Sequence, residues 1–177
     1  MGEPPTIETD RLVLRARTMA DFAPFAAALA DPAVVARLGF GPLSRDQAWM
    51  RFARGAGMWA LLGYGPFIVE DRASGAYAGE VGPGDFKREG EPAPATPEFS
   101  WLVAPAFQGR GIAREALAAA IAWTENRFPT REFGCCVETA NAPSTRLAHR
   151  FGFAPVGRVK LQDATLVVMR RPAARAA

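Results

Sequence analysis

The chain has two cysteines, one histidine, two lysines and two tyrosines, and each shortage closes off a kind of chemistry. The cysteines are adjacent, Cys135 and Cys136, so no disulfide can close a long loop within the chain. With His149 as the lone histidine, the spaced ligand sets of zinc sites cannot be assembled, and no metal is expected. No apolar run reaches the roughly 20 residues of a membrane span without meeting Arg, Glu or Pro, so no membrane partner is expected. Met1 to Asp10 is acidic and carries Pro4 and Pro5 with no apolar stretch. No secretory leader is expected there, and the expected setting is cytoplasmic. Met1-Gly2-Glu3-Pro4-Pro5-Thr6 formally fits a myristoylation pattern, but two prolines in so short a match make coincidence the better reading.

What remains is ordinary globular material. At 177 residues, 49% hydrophobic and 22% charged, the chain suits one domain over 1–177, with 172–177 expected to fray. The formal net charge is +3, carried almost wholly by arginine, since the lysines are only Lys87 and Lys160. That scattered charge fits a phosphate-bearing small ligand and is too thin to announce nucleic acid. The adjacent cysteines lie in a β-like run, so their side chains should point to opposite faces.

Periodicity places the elements. Arg11–Arg15 alternates as a strand, and Thr18 with Asp21 opens a helix through Phe22, Phe25 and Leu29. Pro32 and Gly39–Pro42 punctuate, then Ser44 caps a helix carrying Trp49 and Phe52. Pro66–Glu70 and Tyr77–Val81 read as strands joined by a turn at 71–75, followed by a loop over Gly84–Pro97. Phe99–Val103 is a strand and Ile112–Phe128 the clearest helix, with Leu117, Ile121, Thr124 and Phe128 on one face. Phe133–Glu138 is a strand, Asn141–Phe151 a helix stopped by Gly152, and Val156–Leu161 with Thr165–Met169 a final strand pair. The order gives an α+β protein, with about seven strands and about four helices in layers.

The chemistry gathers between Trp101 and Ala116: a strand, a short turn, and a glycine-bearing helix start. Such a start offers unpaired N–H groups and partial positive charge, which together hold a phosphate or pyrophosphate. Gly109 and Gly111 let the backbone approach a ligand, and Arg110 and Arg114 add charge. The bland alternative is a glycine-rich helix start with solvated arginines. Two familiar phosphate loops do not fit. Gly-x-Gly-x-x-Gly would need glycine at Arg114, and a Walker loop needs a lysine that is missing here.

Gln108-Gly109-Arg110-Gly111-Ile112-Ala113 matches the Gln/Arg-x-x-Gly-x-Gly/Ala signature of the GNAT superfamily, the acyl-CoA-dependent N-acyltransferases, which this sequence resembles over nearly its whole length. Thr9-Asp10-Arg11-Leu12-Val13-Leu14-Arg15 is similar to the opening of the branch holding ribosomal-protein N-terminal acetyltransferases. Gly79–Gly82, Trp101 with Pro105, Glu115-Ala116, Asn141–Ser144 and Phe151–Phe153 resemble further elements of that branch. The resemblance implies a mixed, mostly antiparallel sheet splayed in the middle. Between the parted strands the pantetheine arm of acetyl-CoA would pair with backbone around Leu102 and Val103. The pyrophosphate would rest on the amides from Gln108 to Arg114, through Gly109, Arg110, Gly111, Ile112 and Ala113. Asn141 would contact the ligand or cap its helix, and one geometry serves both. Arg146 or Arg150 would meet the adenosine phosphate or remain a solvated helix charge. The cosubstrate implied is acetyl-CoA, and the partner is an amine acceptor, a peptide N-terminus or small molecule, in a monomer or homodimer.

The resemblance also implies catalytic groups. Ser144 would lie near the thioester sulfur. Many members place a tyrosine acid where this chain has Ala148, and Tyr64 and Tyr77 lie outside the motif. Glu98, at the head of the strand entering the CoA loop, matches an acidic position and serves either as general base or as a rim carboxylate. His149 reads as surface, and Cys135 and Cys136 as small packing residues. Trp49, Trp59 and Phe67 line an acceptor pocket or belong to the core. The leading reading is an N-acetyltransferase working by direct attack in a ternary complex. The rivals are an acyl-CoA sensor on the same fold and a basic nucleic-acid-associated protein.

Overall fold

In the computed structural model, which describes residues 4–36, 38–88, 90–161 and 164–174, alternation along the first strands decides the two faces of a sheet. The elements are β1 (Ile7–Glu8), β2 (Leu12–Arg15), α1 (Phe22–Ala30), α2 (Pro32–Val35), α3 (Arg45–Leu62), β3 (Phe67–Asp71), β4 (Tyr77–Gly84) and β5 (Glu98–Val103). They continue with α4 (Ile112–Arg127), β6 (Phe133–Glu138), α5 (Ala142–Arg150), β7 (Ala154–Leu161) and β8 (Ala164–Arg171). Short 3-10 turns precede α1 and α4 at Met19–Asp21 and Pro105–Phe107. The sheet has eight strands in the order β1-β2-β3-β4-β5-β6-β8-β7 among the described residues. Every neighbour is antiparallel except β5 and β6.

Leu12, Leu14, Phe67, Val69, Phe99, Phe133 and Cys135 bury one face against Ile112, Leu117 and Ile121 of α4 and Ala148 of α5. The other face packs Leu102 beneath Phe25, Leu29 and Phe52 of α1 and α3. Directly paired residues share a face, so Ile68, Glu80 and Leu102, which align across β3, β4 and β5, all lie on the α1–α3 side.

Local signals account for the element boundaries. Ser44 Oγ accepts from Gln47 N (3.2 Å) while Ser44 N donates to Gln47 Oε1 (2.9 Å), a reciprocal cap for α3. Asp21 accepts from both the amide and the hydroxyl of Thr18, as the sequence implies. Asp71 holds Ser74 in the expected turn, and Gly152 stops α5 at φ 78°.

Three features differ from expectation. β1 is an added strand, two residues long, that folds back on β2. Pro32 opens the short helix α2 with Asp31 as its cap, because proline suits the first helical position. β4 runs past Val81 through Pro83 to Gly84, where it pairs with β5 but no longer with β3, so a missing proline donor is tolerated. Of the expected frayed tail, 175–177 lies outside the described residues.

Candidate functional site

The parallel pairing of β5 with β6 is brief. Glu98 aligns with Gly134 and Phe99 with Cys135, and there it stops. Ser100 to Val103 remain paired to β4 on one side, while on the other β6, held to β8 along its whole length, diverges and leaves that edge of β5 open. A cleft of about 640 Å³ fills the gap. It passes through the sheet, touching Trp101, Val137, Asn141 and Ser144 on the α5 side and Leu43, Arg51, Arg54 and Phe86 on the α3 side.

The α4 end of this gap is built from one contiguous segment. Gly109 and Gly111 sit at φ 73° and 78°, a region other residues enter only at a cost, and Gly111 is the N-cap of α4. The first-turn amides of Ile112, Ala113 and Arg114 have no acceptor inside the helix. Gln108 Nε2 donates to the carbonyl of Val103 (3.1 Å), which closes the turn and occupies one of the two backbone positions expected to face a ligand. Arg110 and Arg114 are exposed beside the helix start, with Arg110 stacked over Phe107.

The opening motif acquires a physical role here. Glu115 accepts from the Thr9 hydroxyl (2.6 Å) and the Arg11 amide (3.0 Å) and pairs with the Arg11 guanidinium. The Arg11 guanidinium also donates to the carbonyl of Arg110 (3.0 Å). The β1–β2 turn is thereby tied to the first turn of α4. Burial pushes the Glu115 carboxyl up, but the Thr9 and Arg11 bonds outweigh it and hold it below the ordinary range.

On the α5 side, Asn141 Oδ1 accepts from Ser144 N (3.1 Å), so Asn141 caps α5. Trp101 Nε1 donates to Ser144 Oγ (3.2 Å) across the parted strands, a contact that spacing alone could not reveal. Ala148 is fully buried in the core, so the place of the usual tyrosine does not face the cleft at all. Tyr64, Tyr77 and His149 do not line it either, and Arg146, His149 and Arg150 are exposed along α5.

Glu98, expected as general base or rim carboxylate, is buried away from the cleft lining. Its carboxylate is 2% exposed, does not line the cleft, and accepts from Arg88 Nε through both oxygens (2.9 and 3.0 Å). Burial pushes this carboxyl above its ordinary value, against the pull of Arg88 and of a bond from Cys136. Cys136 lines the cleft, and burial followed by the Glu98 charge pushes its thiol up to about 12; Cys135 faces the core. Neither is a nucleophile at neutral pH.

Two carboxylates do line the cleft, Glu138 and the more deeply buried Glu80. Arg17 donates to Glu80 Oε2 (3.0 Å) and also to the carbonyls of Phe52 (2.9 Å) and Pro66 (3.2 Å). Glu80 Oε1 has no donor among the described residues. Of the aromatics left between pocket and core, Trp59 and Phe67 belong to the core and Trp49 packs on Phe22 and Phe52, while Phe40 and Phe86 line the cleft.

An open strand edge leading to a glycine-led helix start is the architecture of acyltransferases that draw coenzyme A through a parted sheet. Residues 11–154 match the family model for the acetyltransferase (GNAT) domain. A GNAT-family protein from Bordetella pertussis is 33% identical, covering 94% of this chain and 99% of its own, with TM-score 0.81. An acetyltransferase from Agrobacterium tumefaciens strain C58 is 27% identical over 96% and 95%, with TM-score 0.79. A Salmonella typhimurium protein solved with acetyl-CoA is 26% identical over 94% and 96%, with TM-score 0.70. A ribosomal L7/L12 α-N-protein acetyltransferase shares the fold at 18% identity and TM-score 0.76. The chain belongs to the GNAT acetyltransferase family.

Proposed function

We propose that this protein transfers the acetyl group of acetyl-CoA to a primary amine by direct attack in a ternary complex. The observation that carries this reading is the parting of β5 from β6 after Phe99, opposite the N-terminus of α4. The open edge of β5 past Phe99 suits an amide-bearing arm laid down as an extra strand: Leu102 turns its amide and carbonyl to β4 and its side chain under α1 and α3, while the backbone of Trp101 and the amide of Val103 face the open side. The amides from Gly109 to Arg114 suit a pyrophosphate, with Asn141 and Ser144 facing the arm from α5.

Acetyl-CoA supplies the acyl group as a thioester. The amine nitrogen bonds to the carbonyl carbon as the carbon–sulfur bond breaks, and the amine proton leaves to a base. Glu80, directly or through one water, takes that proton, since it lines the cleft and its Oε1 accepts from no donor among the described residues; Glu98 positions Arg88. Trp101 contributes at the sulfur. An indole N–H only donates, so Ser144 Oγ accepts from it and keeps its own proton for the departing thiolate. Thiol pKa values near 8.5 make that help modest.

An α-amine is the favoured nucleophile. Deprotonation at pH 7 costs about 1 kcal/mol for an α-amine and about 4.6 kcal/mol for lysine. Purified protein mixed with acetyl-CoA and peptides should release free thiol faster with open N-termini than with blocked N-termini and an internal lysine. Faster reaction of the blocked peptides would overturn the α-amine assignment, and no thiol release with any amine would overturn transfer itself.

A further inference from the structure

Sorting the charges that face the cleft leaves a surplus of one sign. Glu80 is held by Arg17 and Glu98 by Arg88. Lys87 is held by Asp85, and Glu138 accepts from Thr139 and Ala140. Arg51 and Arg54, one turn apart on α3, line the same cleft and have no carboxylate within ion-pair distance among the described residues. What holds them is ring faces: Arg51 lies 4.9 Å from the centre of Phe40, and Arg54 lies 5.3 Å from Phe86, whose ring also sits 5.5 Å from Arg88. Lys160 lines the opposite wall from β7.

These cations are not placed for the cosubstrate phosphates. The pyrophosphate position follows the α4 start, on the face of the sheet away from α3, and the arm between is uncharged. Two guanidiniums therefore stand at the acceptor end over ring faces with their N–H groups uncommitted, an arrangement suited to a carboxylate or phosphate oxygen pair. Burial, and the charges of Arg54 and Arg88, lower the Arg51 guanidinium from its ordinary value against the opposing pull of Glu80. The protein has not neutralised its own field at this point.

Resting on the transfer reading above, we propose that the acceptor is an anionic amine, an amino compound whose carboxylate or phosphate is held by Arg51 and Arg54 while its nitrogen approaches Glu80. Small amino acids and acidic peptide N-termini both present that chemistry. The test compares kcat/KM for L-aspartate with L-asparagine and with both C-terminal amides. In a second arm, Ser-Asp-Ala-amide is compared with Ser-Asn-Ala-amide.

The wild-type protein should prefer the anionic member of a pair by about tenfold to a hundredfold, the worth of one charge-assisted bond. The arm that shows the larger preference identifies a free amino acid or a peptide as the source. Arg54→Gln, on an exposed helix position, should erase most of that preference through KM, and Arg51→Lys should keep part of what Arg51→Gln loses. Equal rates for charged and neutral amines would overturn the proposal while leaving acetyl transfer standing. A preference that survives Arg51→Gln and Arg54→Gln would overturn the assignment to these arginines. Transfer to no amine of either charge would remove the transfer reading and this inference together.

Discussion

Gly55 stands mid-way along α3, where alanine would ordinarily be better by roughly 1 kcal/mol. Here a Cβ would lie 2.2 Å from Arg17 Nη2 and 2.3 Å from its Cζ. That guanidinium is a flexible end, but it has nowhere to go: the side chain is 5% exposed and bonded to Phe52, Pro66 and Glu80. Displacing it leaves Glu80 buried without its partner, and breaking a buried pair from one side costs about 3–5 kcal/mol. Subtracting the gain for helix alanine, Gly55→Ala should destabilise by about 2–4 kcal/mol. Gly57 provides the control, since a Cβ there meets nothing within 4 Å on the same helix. Gly57→Ala should stabilise by about 0.5–1 kcal/mol. Urea unfolding followed by tryptophan fluorescence should move the two midpoints in opposite directions at unchanged slope. Acetyl transfer should fall in Gly55→Ala, because Glu80 loses the group that aims it. If both variants gained stability and transferred acetyl groups normally, the packing of Arg17 on Gly55 would not be what holds Glu80.

Gly111→Leu should weaken acetyl-CoA binding more than tenfold, above about 1.4 kcal/mol, because a side chain at φ 78° strains the helix start that faces the phosphates; calorimetric titration reads it. Glu115 is held below its ordinary value, so its contribution to stability is complete above that value and vanishes as pH falls through the folded one. Glu115→Gln should therefore lose stability at neutral pH and flatten the acid limb of a stability–pH curve measured by denaturant unfolding. Glu80→Gln should lower kcat by about 10²- to 10⁴-fold at neutral pH, with partial recovery at higher pH as more amine arrives neutral. Glu98→Gln should cost less and leave the pH profile in place, and the reverse ranking would return the base to Glu98.

The elements that were readable in the sequence are those whose signal is local. Leu12 and Leu14 alternate, Leu117, Ile121 and Thr124 recur at helical spacing, and Ser44 with Gln47 marks a helix start. β1 escaped notice because two residues carry no period, and its pairing exists only once the turn before Leu12 has closed. The extension of β4 was hidden by Pro83, a residue that argues against a strand unless one side is already unpaired. β1 adds one strand and α2, opened by Pro32, adds one helix to the expected counts, while the architecture is unchanged.

The same division runs through the site. The half proposed for coenzyme A is one stretch of chain, Gln108 to Arg114, and a contiguous motif survives without knowledge of the fold. The half proposed for the acceptor is assembled from β4, α3 and the loop after β4, and no local pattern distinguishes Arg51 and Arg54 from two solvated residues one turn apart. A faint signal was present in Gly55, a glycine inside a helix that offers no reason for it locally. The reason is Arg17, folded across from the end of β2 to reach Glu80 beneath that glycine. Arg17 takes up Glu80 Oε2, so that neither Arg51 nor Arg54 is ion-paired to this carboxylate. The small residue in α3 and the surplus charge in the cleft are therefore one arrangement, and they should respond together when Gly55 is filled.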